Sequence, residues 1–147
     1  MQKLNKKSGL SLIEVLCALS ILSISFIFIT TIQLNNLKLI NYNKERTKYL
    51  FVLEAVKEEI LHNHAYEEIR QLYLQDKRMI NNQLLTIENI KALELSEIFK
   101  GTADDKKAYL LLDMEDGPVL KINLELHLFL GTKEEIYECD FFKGNYI

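Results

Sequence analysis

A single carboxylate, Glu14, stands in an otherwise apolar run directly after Lys6-Lys7-Ser8-Gly9. An acidic group near the centre of a membrane helix costs about 2.5 to 3.5 kcal/mol on insertion scales, so such groups usually have a cationic partner. Glu58 and His62 lie four apart, a spacing that places two metal ligands on one helical face, but no third ligand is in view. His62-Asn63-His64 offers two imidazoles, yet positions two apart on a helix point to different faces. Asp104-Asp105 and the group Asp113, Glu115 and Asp116 form acidic loops, best read as solvated charge. The sequence holds no nucleophile elbow, phosphate loop or zinc spacing. Accordingly, no catalytic residue, metal site or cofactor is expected.

The element that positions Glu14 is one long helix. From Leu10 to Ile32 the only ionisable groups are Glu14 and the Cys17 thiol. As a helix this segment is about 34 Å long, enough to cross a hydrocarbon core of about 30 Å. Lys3, Lys6 and Lys7 precede it, and the positive-inside bias then puts the amino end in the cytoplasm and the chain after about Gln33 outside. The segment is too long for the apolar region of an ordinary secretory signal.

Composition agrees with this asymmetry. The 147 residues are 48% hydrophobic and 27% charged, with one proline, five glycines and no tryptophan, which excludes collagen-like, disulfide-rich and wholly disordered classes. Eighteen Lys and Arg stand against 21 Asp and Glu, a net charge of −3. Only Lys3, Lys6, Lys7 and Glu14 are charged among the first 37 residues, so the remainder holds 15 basic and 20 acidic residues. Its small basic pairs, Lys77-Arg78 and Lys106-Lys107, do not make a phosphate-binding surface, and strong nucleic-acid binding is not expected.

A short basic leader ending in Gly9, followed at once by an apolar helix with glutamate as its fifth residue, resembles the class III signal of type IV prepilins and pseudopilins. The resemblance covers about residues 3 to 60. It implies that a membrane prepilin peptidase cuts between Gly9 and Leu10 and methylates the new Leu10 terminus. Lys6 and Lys7 keep the leader cytoplasmic, and Gly9 suits a protease that needs an unhindered backbone at the scissile bond. In an assembled filament the Glu14 carboxylate pairs with the N-terminal amine of a neighbouring subunit. Two buried opposite charges recover their desolvation cost only at the correct axial offset, so Glu14 sets register.

Where major pilins often carry a proline about twenty residues into the mature helix, this chain has Thr30 and Thr31, and no kink is encoded. That wording is closer to a minor pilin or pseudopilin. Cys17 reads as a small packing residue, and a bridge from it to Cys139 is implausible while Cys17 lies in membrane or filament core. Major pseudopilins of secretion systems hold calcium in an acidic loop, but solvated loop charge remains the preferred reading here.

Beyond the apolar run, Tyr49, Leu50, Leu53, Val56, Ile60, Leu61 and His64 recur at three- and four-residue steps. One helix is therefore expected from about Leu10 to about His64. A second, Tyr66 to about Arg78, has Ile69, Leu72 and Tyr73 on one face and is broken by Asn81 and Asn82. Gln83–Ile90 reads as a short strand and Ile90–Phe99 as a short helix closed by Gly101. Three β-like runs follow: Ala108–Glu115, then Leu120 to Leu130 with apolar residues at every even position, then Glu135–Phe142. Asp116-Gly117-Pro118 and Gly131-Thr132-Lys133 supply the turns.

The expected fold is α+β, pilin-like, with a long N-terminal helix packed on a small antiparallel C-terminal sheet. Its parts are a cleaved leader over residues 1–9, a membrane and filament-core half of the helix over 10–37, and an extracytoplasmic head over 38–147. The expected partners are the prepilin peptidase, other pilin or pseudopilin subunits and the membrane platform of the assembly machine. The expected location is the cytoplasmic membrane, then a cell-surface filament. The rival reading is a monomeric, membrane-anchored ligand-binding or sensor domain.

Overall fold

The computed structural model of the chain describes residues 11–100, 108–131 and 133–144. The chain divides into two compact units, Met1–Asn41 and Tyr42–Ile147. Helix α1, Leu12–His62, runs through the boundary. It starts two residues after the expected position and ends two before it.

In the first unit the described residues form the apolar part of α1. Between Ser11 and Asn41 all residues but Thr30 are exposed. This stretch is long and apolar enough to cross a membrane, and none of its apolar window is buried by the protein itself.

The second unit holds the rest of α1 and the elements α2 (Tyr66–Leu74), β1 (Met79–Asn81), α3 (Ile87–Ala92), α4 (Leu95–Ile98), β2 (Ala108–Glu115), β3 (Val119–Leu130) and β4 (Lys133–Gly144). The sheet order is β1-β2-β3-β4 and each neighbouring pair is antiparallel. The pairing sets Leu112 opposite Leu124, and Leu124 opposite Cys139. On β3 the expected alternation holds: Leu120, Ile122, Leu124, Leu126 and Leu128 are buried. They join Val52, Leu53, Val56 and Ile60 of α1 and Ile69 and Leu72 of α2 in one apolar core. Period-2 burial on the strands thus meets period-3.6 burial on the helices, the condition for a two-layer α+β unit.

Several local expectations are corrected. Helix α2 stops at Leu74 rather than near Arg78, because Asp76 takes a left-handed φ of 58°. The Lys77 N–H donates to the Leu72 carbonyl at 3.0 Å and the Asp76 N–H to that of Tyr73 at 3.1 Å, a Schellman closure. Residues 79–81 then form a strand on β2, so the expected three-stranded meander gains a fourth strand. Gln83–Ile90 is not a strand. It is a turn leading into α3, whose N-cap Thr86 accepts from the Asn89 N–H at 3.3 Å. The single helix expected over Ile90–Phe99 is replaced by the end of α3 and, separately, α4, and Gly101 lies outside the described residues.

Four side chains tie the layers together. The Tyr66 hydroxyl donates to the Gly117 carbonyl at 2.6 Å, and Arg70 Nε to Asp116 at 3.1 Å, fixing α2 to the β2–β3 turn. Tyr49 of α1 donates to Asn82 Oδ1 at 2.7 Å. At the end of α1 the buried Lys143 ammonium donates to the carbonyls of Ile60 at 2.8 Å and Leu61 at 3.0 Å. These carbonyls lack helical partners, and the lysine supplies the missing donor.

The N-terminal segment as candidate processing and assembly site

Lys6, Lys7, Gly9 and Leu10, expected to direct cleavage and methylation, lie outside the described residues. Glu14 lies in the first turn of α1. Its Oε2 accepts the Ser11 N–H at 2.8 Å, while Ser11 Oγ accepts the Ile13 N–H at 3.3 Å. Two helix-terminal donors are thereby satisfied by two neighbouring side chains, and the carboxylate lies at the positive end of the helix dipole. Ser11-x-x-Glu14 is a capping-box spacing ahead of an apolar run. The sequence carries that signal, but the reading of Glu14 as an intermolecular partner passes over it.

Along the apolar face no other charge accompanies Glu14 through Leu37. The hydroxyls of Ser20, Ser23, Ser25, Thr30 and Thr31 each donate to the carbonyl four residues earlier, at 2.8 to 2.9 Å. Their polarity is therefore spent on the helix's own backbone. Cys17 is an exposed free thiol.

In the second unit the other candidates separate into local pairs. His62 Nε2 lies 3.1 Å from Glu58, with both side chains mostly exposed. His64 lies beyond the helix end, 3.0 Å from Glu68 and 3.7 Å from Glu59. The Glu68 carboxyl is held below its usual range, chiefly by the Ala65 N–H and then by His64. Among the described residues no three His, Cys, Asp or Glu side chains cluster as metal ligands would.

Each acidic residue of the 113–116 group has a protein partner. Asp113 accepts from Tyr73 at 3.1 Å, Glu115 pairs with Lys121 at 2.9 Å, and Asp116 binds Arg70. Asp104, Asp105 and Lys106-Lys107 lie outside the described residues. Of the other basic pair, Arg78 contacts Asp76 at 2.9 Å and stacks over the Tyr73 ring at 4.4 Å. Cys139 is a free thiol on β4 that burial pushes up.

Sequence reasoning missed His127 of β3, which the alternating pattern assigns to the solvent face. It is nonetheless buried, stacked on Tyr109 with ring centroids 4.4 Å apart, and its Nδ1 is 2.9 Å from Glu134. Only the β2–β3 register, which sets Tyr109 opposite His127, reveals this cluster.

Comparison with protein families gives a match to the prokaryotic N-terminal methylation motif over residues 4–30. Among curated proteins and solved structures there is no match. The matched segment contains the basic leader, Gly9, Leu10 and Glu14, and runs on into the exposed apolar stretch of α1. The chain thus carries the class III signal of type IV pilins ahead of a pilin-like α+β fold, and it fits a prepilin or pseudopilin.

Proposed function

We propose that the protein is a minor pilin or pseudopilin whose work is assembly rather than catalysis. The observation that carries this reading is the methylation motif at residues 4–30 continuing into an apolar helix with Glu14 as its sole charge up to Leu37. In this reading Lys6 and Lys7 hold the leader in the cytoplasm, the prepilin peptidase cuts after Gly9, and the new Leu10 amine is methylated. The subunit waits in the cytoplasmic membrane, then passes through the membrane platform into an extracytoplasmic filament of a pilus, a type II secretion system or a competence system. There the Leu10 amine of one subunit meets the Glu14 carboxylate of another, and the apolar part of α1 exchanges lipid for neighbouring helices. A mismatch in axial offset leaves both charges unpaired in an apolar core, a strong penalty against wrong registers.

The test is intact mass and N-terminal sequencing of the protein from its native membrane and from sheared surface filaments. A chain beginning at methylated Leu10 in both fractions is the expected result. A chain beginning at Met1 and absent from filaments overturns the reading and leaves a monomeric membrane-anchored domain.

A further inference from the structure

We propose that the open edge of β4 docks an extended segment of a partner protein, one whose side chains alternate basic and apolar, as a fifth strand of the sheet. The surface lies wholly within the second unit and does not depend on cleavage after Gly9.

The two edges of the sheet differ. On one side β1 is only three residues long, Met79–Asn81, a short strand of the kind that blunts an edge. On the other side β4 runs for 12 residues, Lys133–Gly144, and among the described residues its single neighbouring strand is β3. The β3–β4 register is unbroken from Val119 opposite Gly144 to Leu130 opposite Lys133, so no bulge bends the edge away. No proline interrupts it. At about 3.4 Å per residue the edge is about 40 Å long. Among the described residues no loop backbone hydrogen-bonds to it. Its outward N–H and C=O groups are therefore offered to a strand from outside.

Side chains beside the edge select that strand. Toward the core, Tyr137 and Cys139 are half-buried, whereas the β3 residues opposite them, Leu126 and Leu124, are fully buried. Apolar residues on a fifth strand complete their cover. On the outer face Ile136 is 51% and Phe142 65% exposed, and beside them stand the exposed carboxylates of Glu134, Glu138 and Asp140. Glu138 already lies opposite Glu125 of β3, a like-charge pair that a cation at the edge relieves. Lys121 of the same face pairs with Glu115, and His127 lies against Glu134 and Glu125, while Glu138 and Asp140 form no ion pair among the described residues. Lysine or arginine on the outer face of the fifth strand answers these carboxylates, and their aliphatic stems cover Ile136 and Phe142. A second copy of β4 does not fit. An antiparallel pair of β4 strands that sets Ile136 opposite Phe142 also sets Glu138 opposite Asp140, and one that sets Ile136 opposite its own counterpart sets Glu134 opposite Glu138. Like charges directly opposite destabilise a ladder, so the acidic edge rejects its own copies and admits a basic strand.

The test uses the full chain in detergent micelles and synthetic peptides of about ten residues in which valine alternates with lysine or with glutamate. A third peptide is the lysine peptide N-methylated at consecutive central residues, which keeps its charge but removes the donors of both its edges. The lysine peptide is expected to slow hydrogen exchange of β4 amides by about tenfold or more, and the other two peptides to leave it unchanged. In Glu138→Lys/Asp140→Lys the preference is expected to reverse, with the glutamate peptide protecting β4. Should that double variant lose its fold, Glu138→Lys alone, at an exposed position, carries the same expectation at smaller amplitude. No protection by the lysine peptide overturns the proposal. Equal protection by the N-methylated peptide overturns strand addition in favour of adsorbed charge, and equal protection by the glutamate peptide overturns the charge selection. Protection that grows with protein concentration in the absence of peptide makes a second copy the occupant and overturns the basic partner.

Discussion

The Tyr42 hydroxyl of α1 donates a hydrogen bond to the Glu135 carboxylate of β4, 93 residues later in the chain. The other Glu135 oxygen accepts from Tyr137 at 2.6 Å, and the Arg46 guanidinium lies 5.3 Å from the Tyr137 ring centre. One carboxylate thus fastens the first turns of α1 in the second unit to the face of β4 that carries Tyr137, Cys139 and Phe141. The hydroxyl of Tyr137, then that of Tyr42, hold the Glu135 carboxyl below its usual range. A depressed folded value stabilises the protein above the ordinary glutamate pKa of about 4.3, and that contribution is lost as pH falls through the folded value. The Tyr42 phenol is raised chiefly by Glu135 and that of Tyr137 first by burial. Their contribution is present below the ordinary tyrosine value of about 10 and is lost as pH rises through the raised one. Urea midpoints followed from about pH 7 down to about pH 3 should fall less steeply in Glu135→Gln than in wild type. Parallel curves would remove Glu135 from the acid response.

A second expectation concerns Lys143, on the core face of β4. Its ammonium binds two carbonyls at the end of α1, and burial holds it below the usual lysine range, opposed by Glu68. Lys143→Met keeps most of the buried stem but removes both donors. Leaving buried carbonyls unsatisfied costs about 1 to 3 kcal/mol, so the urea midpoint should drop with an unchanged slope. An unchanged midpoint would mean that water caps the helix equally well.

At Asp76 the backbone, not the side chain, decides the outcome. A non-glycine residue with φ of 58° closes α2, and its carboxylate makes one exposed contact, to Arg78 at 2.9 Å. Left-handed geometry costs an L-residue about 1 kcal/mol or more, whereas an exposed ion pair contributes about 0 to 1 kcal/mol. Asp76→Gly should therefore leave stability equal or slightly higher, and Asp76→Val should lower it by more than about 1 kcal/mol. Thermal melts of the two variants check both signs.

The same position explains why the sequence reading overran α2. Without glycine or proline after Leu74, the apolar periodicity offered no stop. Strand β1 then went unseen because three residues carry too little alternation to register, and its partner β2 begins only at Ala108. Elements with many repeats were legible: β3 shows its burial pattern at Leu120, Ile122, Leu124, Leu126 and Leu128, and α1 shows its apolar half by composition alone. Side chains that contradict their chemical type were not. Lys143 continues the inward positions of β4 after Tyr137, Cys139 and Phe141, and its role depends on a helix end 82 and 83 residues away. Val52, fully buried, falls between the heptad-like positions that the pattern picked out. In the N-terminal segment Glu14 stands out through charge, whereas its bond to Ser11 needs the turn to be built.

The hydroxyls of α1 give the sharpest contrast with Glu14. Ser20, Ser23, Ser25, Thr30 and Thr31 each bond the preceding turn of their own helix, so none needs a neighbouring helix to satisfy it. Hydroxyls on transmembrane helices can also bond across helices, at about 0.6 kcal/mol on average by double-mutant cycles, and that contribution is small once an intrahelical acceptor competes. Replacing all five by alanine should leave filament entry within about twofold of wild type, while Glu14→Ala should reduce it by more than about tenfold, as expected for a buried charge left without its partner. Quantitative recovery of sheared filaments at equal membrane levels compares the two. A severe loss in the alanine series would transfer register from the Glu14 pair to hydroxyl contacts between helices, and the single-carboxylate account of assembly would then be wrong.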